Sequence, residues 1–363
     1  MRRLTFAPGL TALGFIVPVL LAAATPVAAQ QVQRFSLEGP RVEIYDVVGR
    51  ATVHRGSGNV VIVQATRVGA DASALEFATD REGTDGASRL RVVFPLDRAR
   101  DGIAFSRDGN GRTNLRLRAD GTFGGDDVLG AMRGDRVEIG GDGHFRASAD
   151  LDIAVPEGRT VTLHLAEGRV ELNGTSGDFT IDTYGAPVAA RDVAGSYLFD
   201  TGSGDVQVRG GTGTIRLDTG SGDATVSGIR GTLLDIDTGS GDADATDVQV
   251  ERFRFDTGSG NVRARGLQGR RGVIDTGSGD AEIAFTGGDV EDLLIDTGSG
   301  DAQLTLPAQA NARISIDTGS GDINVARANV VMERREHGAM VLRVGEGRGR
   351  VRIDTGSGDV TIR

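Results

Sequence analysis

The chain has no cysteine, no tryptophan and no lysine, and aromatic residues make up only 4% of its 363 positions. Without thiols there is no disulfide, no thiolate metal site and no lipid-modified cysteine at a leader junction. With so few aromatics, a large aromatic core is excluded too. All 40 basic side chains are arginine, the 51 acidic ones outnumber them, and the net charge of −11 argues against nucleic acid as a partner. His54, His144, His164 and His337 are scattered, without metal-ligand spacing or a nucleophile beside them, and read as ordinary strand or loop residues.

Long apolar runs are scarce as well. Leu10 to Ala24 is the main one, too short and too interrupted by proline for a membrane span. Arg2 and Arg3 precede it and Val27-Ala28-Ala29 follows, so residues 1–29 read as a signal peptide cleaved before Gln30. The expectation is an exported protein in the periplasm, at the cell surface or in the medium, with no transmembrane span after cleavage.

What the chain has in abundance is glycine, 56 residues, much of it in one recurring hexapeptide. Asp-Thr-Gly-Ser-Gly-Asp begins at Asp200, Asp218, Asp237, Asp275, Asp296, Asp317 and Asp354, and Asn261 closes a further copy begun at Asp256. A period of about 20 residues is what stacked β-coils produce. The residue before each copy is large and apolar: Phe199, Leu217, Ile236, Phe255, Ile274, Ile295, Ile316 or Ile353. Small or branched apolar residues follow it, from Val206 and Ala224 to Ala302 and Val360. Each flank alternates, which means two strands with one buried face each. The two apolar sets stand seven positions apart, an odd number, so Gly-Ser-Gly must reverse the strand phase. The motif is a corner, and its glycines are expected where the backbone needs positive φ.

Upstream, residues 30–150 form an N-terminal β-rich module with short alternating runs such as Val60-Val61-Ile62-Val63. Within it, a Gly- and Asp-rich stretch at about 97–143 reads as an insertion or loop with one or two strands. Residues 151–363 form the repeat array. The last interval, from Asp317 to Asp354, is nearly twice the others, as though one coil had lost its corner, with Glu336-His337-Gly338 in its place. The chain then stops shortly after the final copy, which leaves that coil's edge open and points to an end-to-end homodimer through it, or to cover by the N-terminal module.

Several segments carry a resemblance. Val42-Glu43-Ile44 with Gly56-Ser57-Gly58-Asn59-Val60, the run Leu151-Asp152-Ile153-Ala154-Val155-Pro156-Glu157-Gly158, Gly168-Arg169-Val170-Glu171-Leu172 and every Gly-Ser-Gly-Asp corner resemble the bacterial putative-adhesin, β-strand-repeat family of domains of unknown function. The resemblance implies a β-solenoid at the cell envelope and supplies no reaction.

Asp-Thr-Gly-Ser is also the active-site tetrapeptide of aspartic proteases, but those need one matched pair across a cleft, not eight copies in a row. The copies instead imply two acidic ladders. Charges about 4.8 Å apart repel by roughly 0.9 kcal/mol in water and about 3.5 kcal/mol at an effective dielectric of about 20. Hydrogen bonds from corner amides and hydration are the first answer to that repulsion. Calcium is the second, with Asp200, Asp205, Asp218, Asp223, Asp237, Asp242, Asp275, Asp280, Asp296, Asp301, Asp317 and Asp322 as its candidate ligands. No other cofactor is expected. Thr201 and its equivalents follow an outward Asp and so should point inward.

The fold expected is all-β: a parallel β-solenoid of about ten coils with an N-terminal segment of the same type. The function expected is that of a non-catalytic envelope scaffold or adhesin-like binding protein, partnered by an envelope protein or a polysaccharide. A carbohydrate-active enzyme is the alternative, and it would need an irregular cluster of Asp, Arg or His breaking a ladder.

Overall fold

A computed structural model describes residues 32–82, 86–105, 112–124, 133–287 and 290–363; the expected leader and parts of the 97–143 stretch lie outside the described residues. The chain winds as a parallel β-solenoid. Each coil lays down two short strands that meet at the hexapeptide corner. Phe199, Thr201, Gly204 and Val206 are inside, while Asp200, Gly202, Ser203 and Asp205 are outside. Alternation holds on both flanks and slips by one at Gly202-Ser203, the phase reversal that the spacing required.

The hexapeptide glycines are not in the left-handed region; their φ values are negative or extended. Their need is proximity. A Cβ on Gly260 would lie 1.9 Å from the Gly241 carbonyl oxygen of the preceding coil, and one on Gly258 would lie 2.4 Å from that of Gly239. Corner stacks on corner backbone to backbone, with no room for a side chain.

Positive φ appears at the opposite corner, which the hexapeptide pattern did not reveal. Asp192, Gly210, Gly228, Asp247 and Gly266 each directly follow the paired ladder Arg191, Arg209, Ser227, Thr246 and Arg265. Their φ values lie between 53° and 73°. Glycine enters that region freely, and aspartate is among the few other residues that do. Val193, Gly211, Ile229, Val248 and Leu267 come next and fill the coil interior. An Asp or Gly before a mostly apolar residue is therefore the sequence mark of this second corner.

The first coil begins with Arg41–Arg55, which pairs along both halves with Arg159–Asn173. On its other side the first half pairs with Ala87–Val93 and the second with Ser148–Val155, so one coil is interrupted by the segment between them. Within that segment Ile103–Ala104, Thr113–Leu117 and Asp135–Gly140 form a separate three-stranded sheet with Leu115, Leu117, Val137 and Ile139 buried. This is more structure than one or two strands, because the few apolar residues alternate. Antiparallel strands cover this end of the solenoid: Glu76–Glu82 on one face, Val61–Val68 and then Val32–Leu37 on the other.

At the other end the chain order departs from the sequence order. Gly349–Thr355 lies between Asp292–Thr297 and Ala312–Thr318, parallel to both. Val360–Ile362 lies likewise between Ala302–Thr305 and Ile323–Val325. The coil that carries Asp354 is thus internal, and the Asp317 coil is outermost. No coil has lost its corner. The extra length between Asp317 and Asp354 is the hairpin Val330–Glu336 and Ala339–Val344, whose second strand pairs antiparallel with Ala312–Thr318, and Glu336-His337-Gly338 is its turn. The C-terminal coil therefore offers no open edge, and an end-to-end homodimer through it has nothing to form on.

Asp46 breaks the packing rule. Asp46 occupies the rung that Thr183 and Thr201 fill in later coils, next to Leu165. It is 0% exposed, and neither carboxyl oxygen has a hydrogen-bond partner of good geometry. Burial pushes its pKa well above the ordinary value; the nearby Val48 and Val47 amides favour the charge and Asp150 opposes it, but burial dominates.

Two outcomes are expected. Asp46→Asn should raise the melting temperature near neutral pH, with the gain shrinking as pH falls toward about 4, because a carboxyl whose folded pKa is raised loses its contribution as pH rises. A gain that grows on acidification would contradict the assignment. Gly260→Ala should lower stability by about 1–3 kcal/mol in denaturant titrations, while Ala at the exposed Ser259 should leave it nearly unchanged.

Candidate functional site

The hexapeptide aligns its residues in columns along the solenoid. The column of closing residues is a continuous hydrogen-bond ladder. The Asp223 amide donates to Asp205 Oδ1 at 3.1 Å, Asp242 to Asp223 at 2.9 Å, and Asn261 to Asp242 at 2.8 Å. Asp280 donates to Asn261 and Asp301 to Asp280, both at 2.9 Å. Asp359 then donates to Asp301 and Asp322 to Asp359, both at 2.8 Å, repeating the spatial coil order. The amide comes from the next coil and not from the residue's own turn. Asn261 fits because its Oδ1 accepts as a carboxylate oxygen does, and its Nδ2 also donates to Asp242. Burial pushes the Asp242 carboxyl up, but the Asn261 amide, the Arg263 guanidinium and the Asn261 side chain more than offset it and hold it below the usual range.

The threonine column is buried, as its position after an outward Asp implied. Each hydroxyl donates to the carbonyl three residues on, from Thr201 to Gly204 at 2.7 Å through Thr276 to Gly279 at 2.6 Å. These bonds close the corner from inside.

The column of opening residues is less uniform. In spatial order it runs Tyr45, His164, Asp182, Asp200, Asp218, Asp237, Asp256, Asp275, Asp296, Asp354 and Asp317. Residues two positions earlier share its outer face, and some are counter-charges. Arg254 reaches Asp237 at 3.0 Å and Asp235 at 3.5 Å and also bonds Asp256; Arg352 reaches Asp354 at 2.7 Å. These arginines relieve the column locally.

Asp200 has no such neighbour, since the corresponding position is Leu198. Partial desolvation, with Asp182 and Asp218 on either side, raises its pKa to about 6. Next to it the column changes chemistry. His164 Nδ1 lies 2.7 Å from Asp182 Oδ2, and the imidazole stacks on Tyr45 with centroids 4.3 Å apart and planes 8° from parallel. Phe123, from the interrupting segment, packs edge-on against Tyr45, His164 and Tyr184. Sequence reasoning passed over His164 as scattered. The available signal was that it precedes Asp182 by the same 18 residues that separate coils here.

Of the twelve aspartates expected to hold calcium, Asp200, Asp218, Asp237, Asp275, Asp296 and Asp317 stand in the opening column, and Asp205, Asp223, Asp242, Asp280, Asp301 and Asp322 in the closing one. Among the described residues no group of three or more His, Asp or Glu converges as a metal site would.

Residues 196–363 match the family model Toastrack DUF4097. The resemblance to a β-strand-repeat family of unknown function is thus shown over the Toastrack stretch, which takes in all the hexapeptides. A solved structure of a putative cell adhesion protein from Clostridium sporogenes ATCC 15579 is 10% identical, with 92% of this chain and 98% of that one covered. Its TM-score of 0.20 is too low to support any argument. No curated protein matches the chain. Among the described residues, no helix is long and apolar enough to cross a membrane.

Carbon-detected NMR should show the Asp200 carboxyl titrating near pH 6, and lower in Asp218→Asn. Leu198→Arg, which copies the placement of Arg254 relative to Asp256, should lower it too. An unchanged midpoint in both variants would remove the column repulsion as a cause.

Proposed function

We infer that the chain is an exported, non-catalytic scaffold of the cell envelope, and that its repeating outer face is an adhesin-like binding surface for a polysaccharide or an envelope protein. The observation that carries this reading is how the reactive-looking groups are used. The closing carboxylates accept the next coil's amides, and the threonine hydroxyls close corners from within. What faces outward is a row of side chains at the spacing of β-strands, about 4.8 Å, suited to contacting an extended polymer at many weak points. Multiplicity then supplies strength that single contacts lack.

One observation favours a second reading. The opening column is broken at His164, Asp182 and Asp200 by the aromatic cluster of Tyr45, Phe123 and Tyr184. Asp200, raised to about 6, has the protonation behaviour of a general acid. A carbohydrate-active site on the solenoid would use such a group. Calcium held along the aspartate columns remains a proposal beside both readings.

A glycan panel assayed for retention and turnover separates them. Retention without turnover, unchanged in Asp200→Asn, is the expected result. Turnover abolished by Asp200→Asn would replace it with the enzyme. Repeating retention and melting with calcium on a chelator-stripped sample tests the cation: no heat and no shift in melting temperature would end that idea.

A further inference from the structure

The coil from Gly349 to Ile362 follows the Asp317 coil in sequence, yet it lies inside the sheet. Both of its strands are paired on both sides. It separates the Asp296 coil from the Asp317 coil. The bonds that receive it are those found at every other junction: Asp301 Oδ1 takes the Asp359 amide, and Asp359 Oδ1 takes the Asp322 amide. Gly300, Gly358 and Gly321 stack as the other corner glycines do. The Asp296 and Asp317 coils therefore present matching corners to each other whether or not the insert is there. When it leaves, the slot can close by direct stacking.

The connection to this coil is built as a hinge. Gly345 and Gly347 have φ of 60° and 71°, and the exposed Gly345 and Glu346 border an open cavity of about 800 Å³ that also reaches Ala308, Asn329 and Val331. The Gly347 amide donates to the Val344 carbonyl at 3.2 Å, and Arg343 Nη1 to the Gly345 carbonyl at 3.0 Å. Asn311 accepts the Arg348 amide through Oδ1 at 2.8 Å and the Gly349 amide through its carbonyl at 3.0 Å. Arg327 donates to the carbonyls of Leu306 at 2.6 Å, Pro307 at 2.7 Å and the C-terminal Arg363 at 3.4 Å.

We propose that the coil from Gly349 to Ile362 is exchangeable: it leaves its slot and is taken up in the same slot of a second copy of this chain, each copy donating to the other. The partner is another copy because the slot is shaped on both sides by the hexapeptide corner, and a second copy's C-terminal coil reproduces every bond of the original. The contacts are the internal ones made in trans, so this is not an association through an exposed edge. Arg327 and Asn311 act as a latch that must open before the coil leaves its slot; their bonds are remade in trans, so they set how fast copies exchange.

Absence of cysteine makes the test direct. Leu294 pairs with Arg352 and Arg352 with Ser315, all on the outer face. Neighbouring strands sit about 4.8 Å apart, within a disulfide's reach. The double variant Leu294→Cys with Arg352→Cys should cross-link within one chain. Copies carrying Leu294→Cys and copies carrying Arg352→Cys, differently tagged, are then mixed, warmed below the melting point and oxidised. A mixed dimer of twice the monomer mass is expected, absent when Leu198→Cys replaces Leu294→Cys. Ser315→Cys should serve as well as Leu294→Cys, and Arg327→Ala should bring the mixed dimer up sooner. Failure of the double variant to cross-link within one chain, or mixed dimer no stronger than in the Leu198→Cys control, overturns the proposal. If Arg327→Ala does not fold, the pairs with Arg327 intact decide alone.

Discussion

The structure depends on close contact between the backbones of successive corners. Two glycines per hexapeptide let one corner settle on the next at distances that exclude even a methyl group. That contact brings the closing aspartate of one coil to the amide of the next, and the resulting ladder runs from Asp205 to Asp322. These amides lie on the outer side of the corner, and each finds its acceptor in the neighbouring coil. A carboxylate supplies a stronger one than a neutral oxygen, so the acidic column that would repel itself in isolation is stabilised by the donors it faces. The threonine hydroxyls complete the same arrangement on the inner side.

A repeating corner of this kind has a consequence for specificity. Because every junction is made the same way, corner chemistry alone does not dictate which coil follows which. The order 296, 354, 317 is possible for that reason. The hairpin of Val330–Glu336 and Ala339–Val344 occupies the outer edge of Ala312–Thr318, so the place outside that strand is filled. The hairpin also covers the end with a strand carrying Glu333, Arg334, Arg335 and Glu336, a charged edge of the sort that discourages sheet-to-sheet association.

The opening column shows how local departures from the repeat create chemistry. Where arginine stands two residues before the aspartate, as at Arg254 and Arg352, the charge is balanced. At Leu198 no arginine stands, and burial, with Asp182 and Asp218 on either side, raises the Asp200 pKa to about 6. One coil earlier the aspartate gives way to His164, stacked on Tyr45 and covered by Phe123 from a segment far away in sequence. Burial raises the Asp256 pKa as well, although Arg254 opposes it.

Much of this was legible in the sequence. The alternation around Phe199 and Val206, the odd spacing between them and the inward threonine follow from strand periodicity, which is local and therefore visible in one chain. The positive-φ corner at Asp192, Gly210 and Asp247 was less visible, because only one residue per coil marks it and its identity varies. The meaning of the hexapeptide glycines was misread, since close approach between coils is not a property of any single turn. Tertiary structure alone decided the rest: that Arg254 reaches three aspartates, and that the coil from Gly349 to Ile362 lies inside. Each of these depends on which strands become neighbours. With one corner repeated eight times, the sequence states how coils join and is silent on their order.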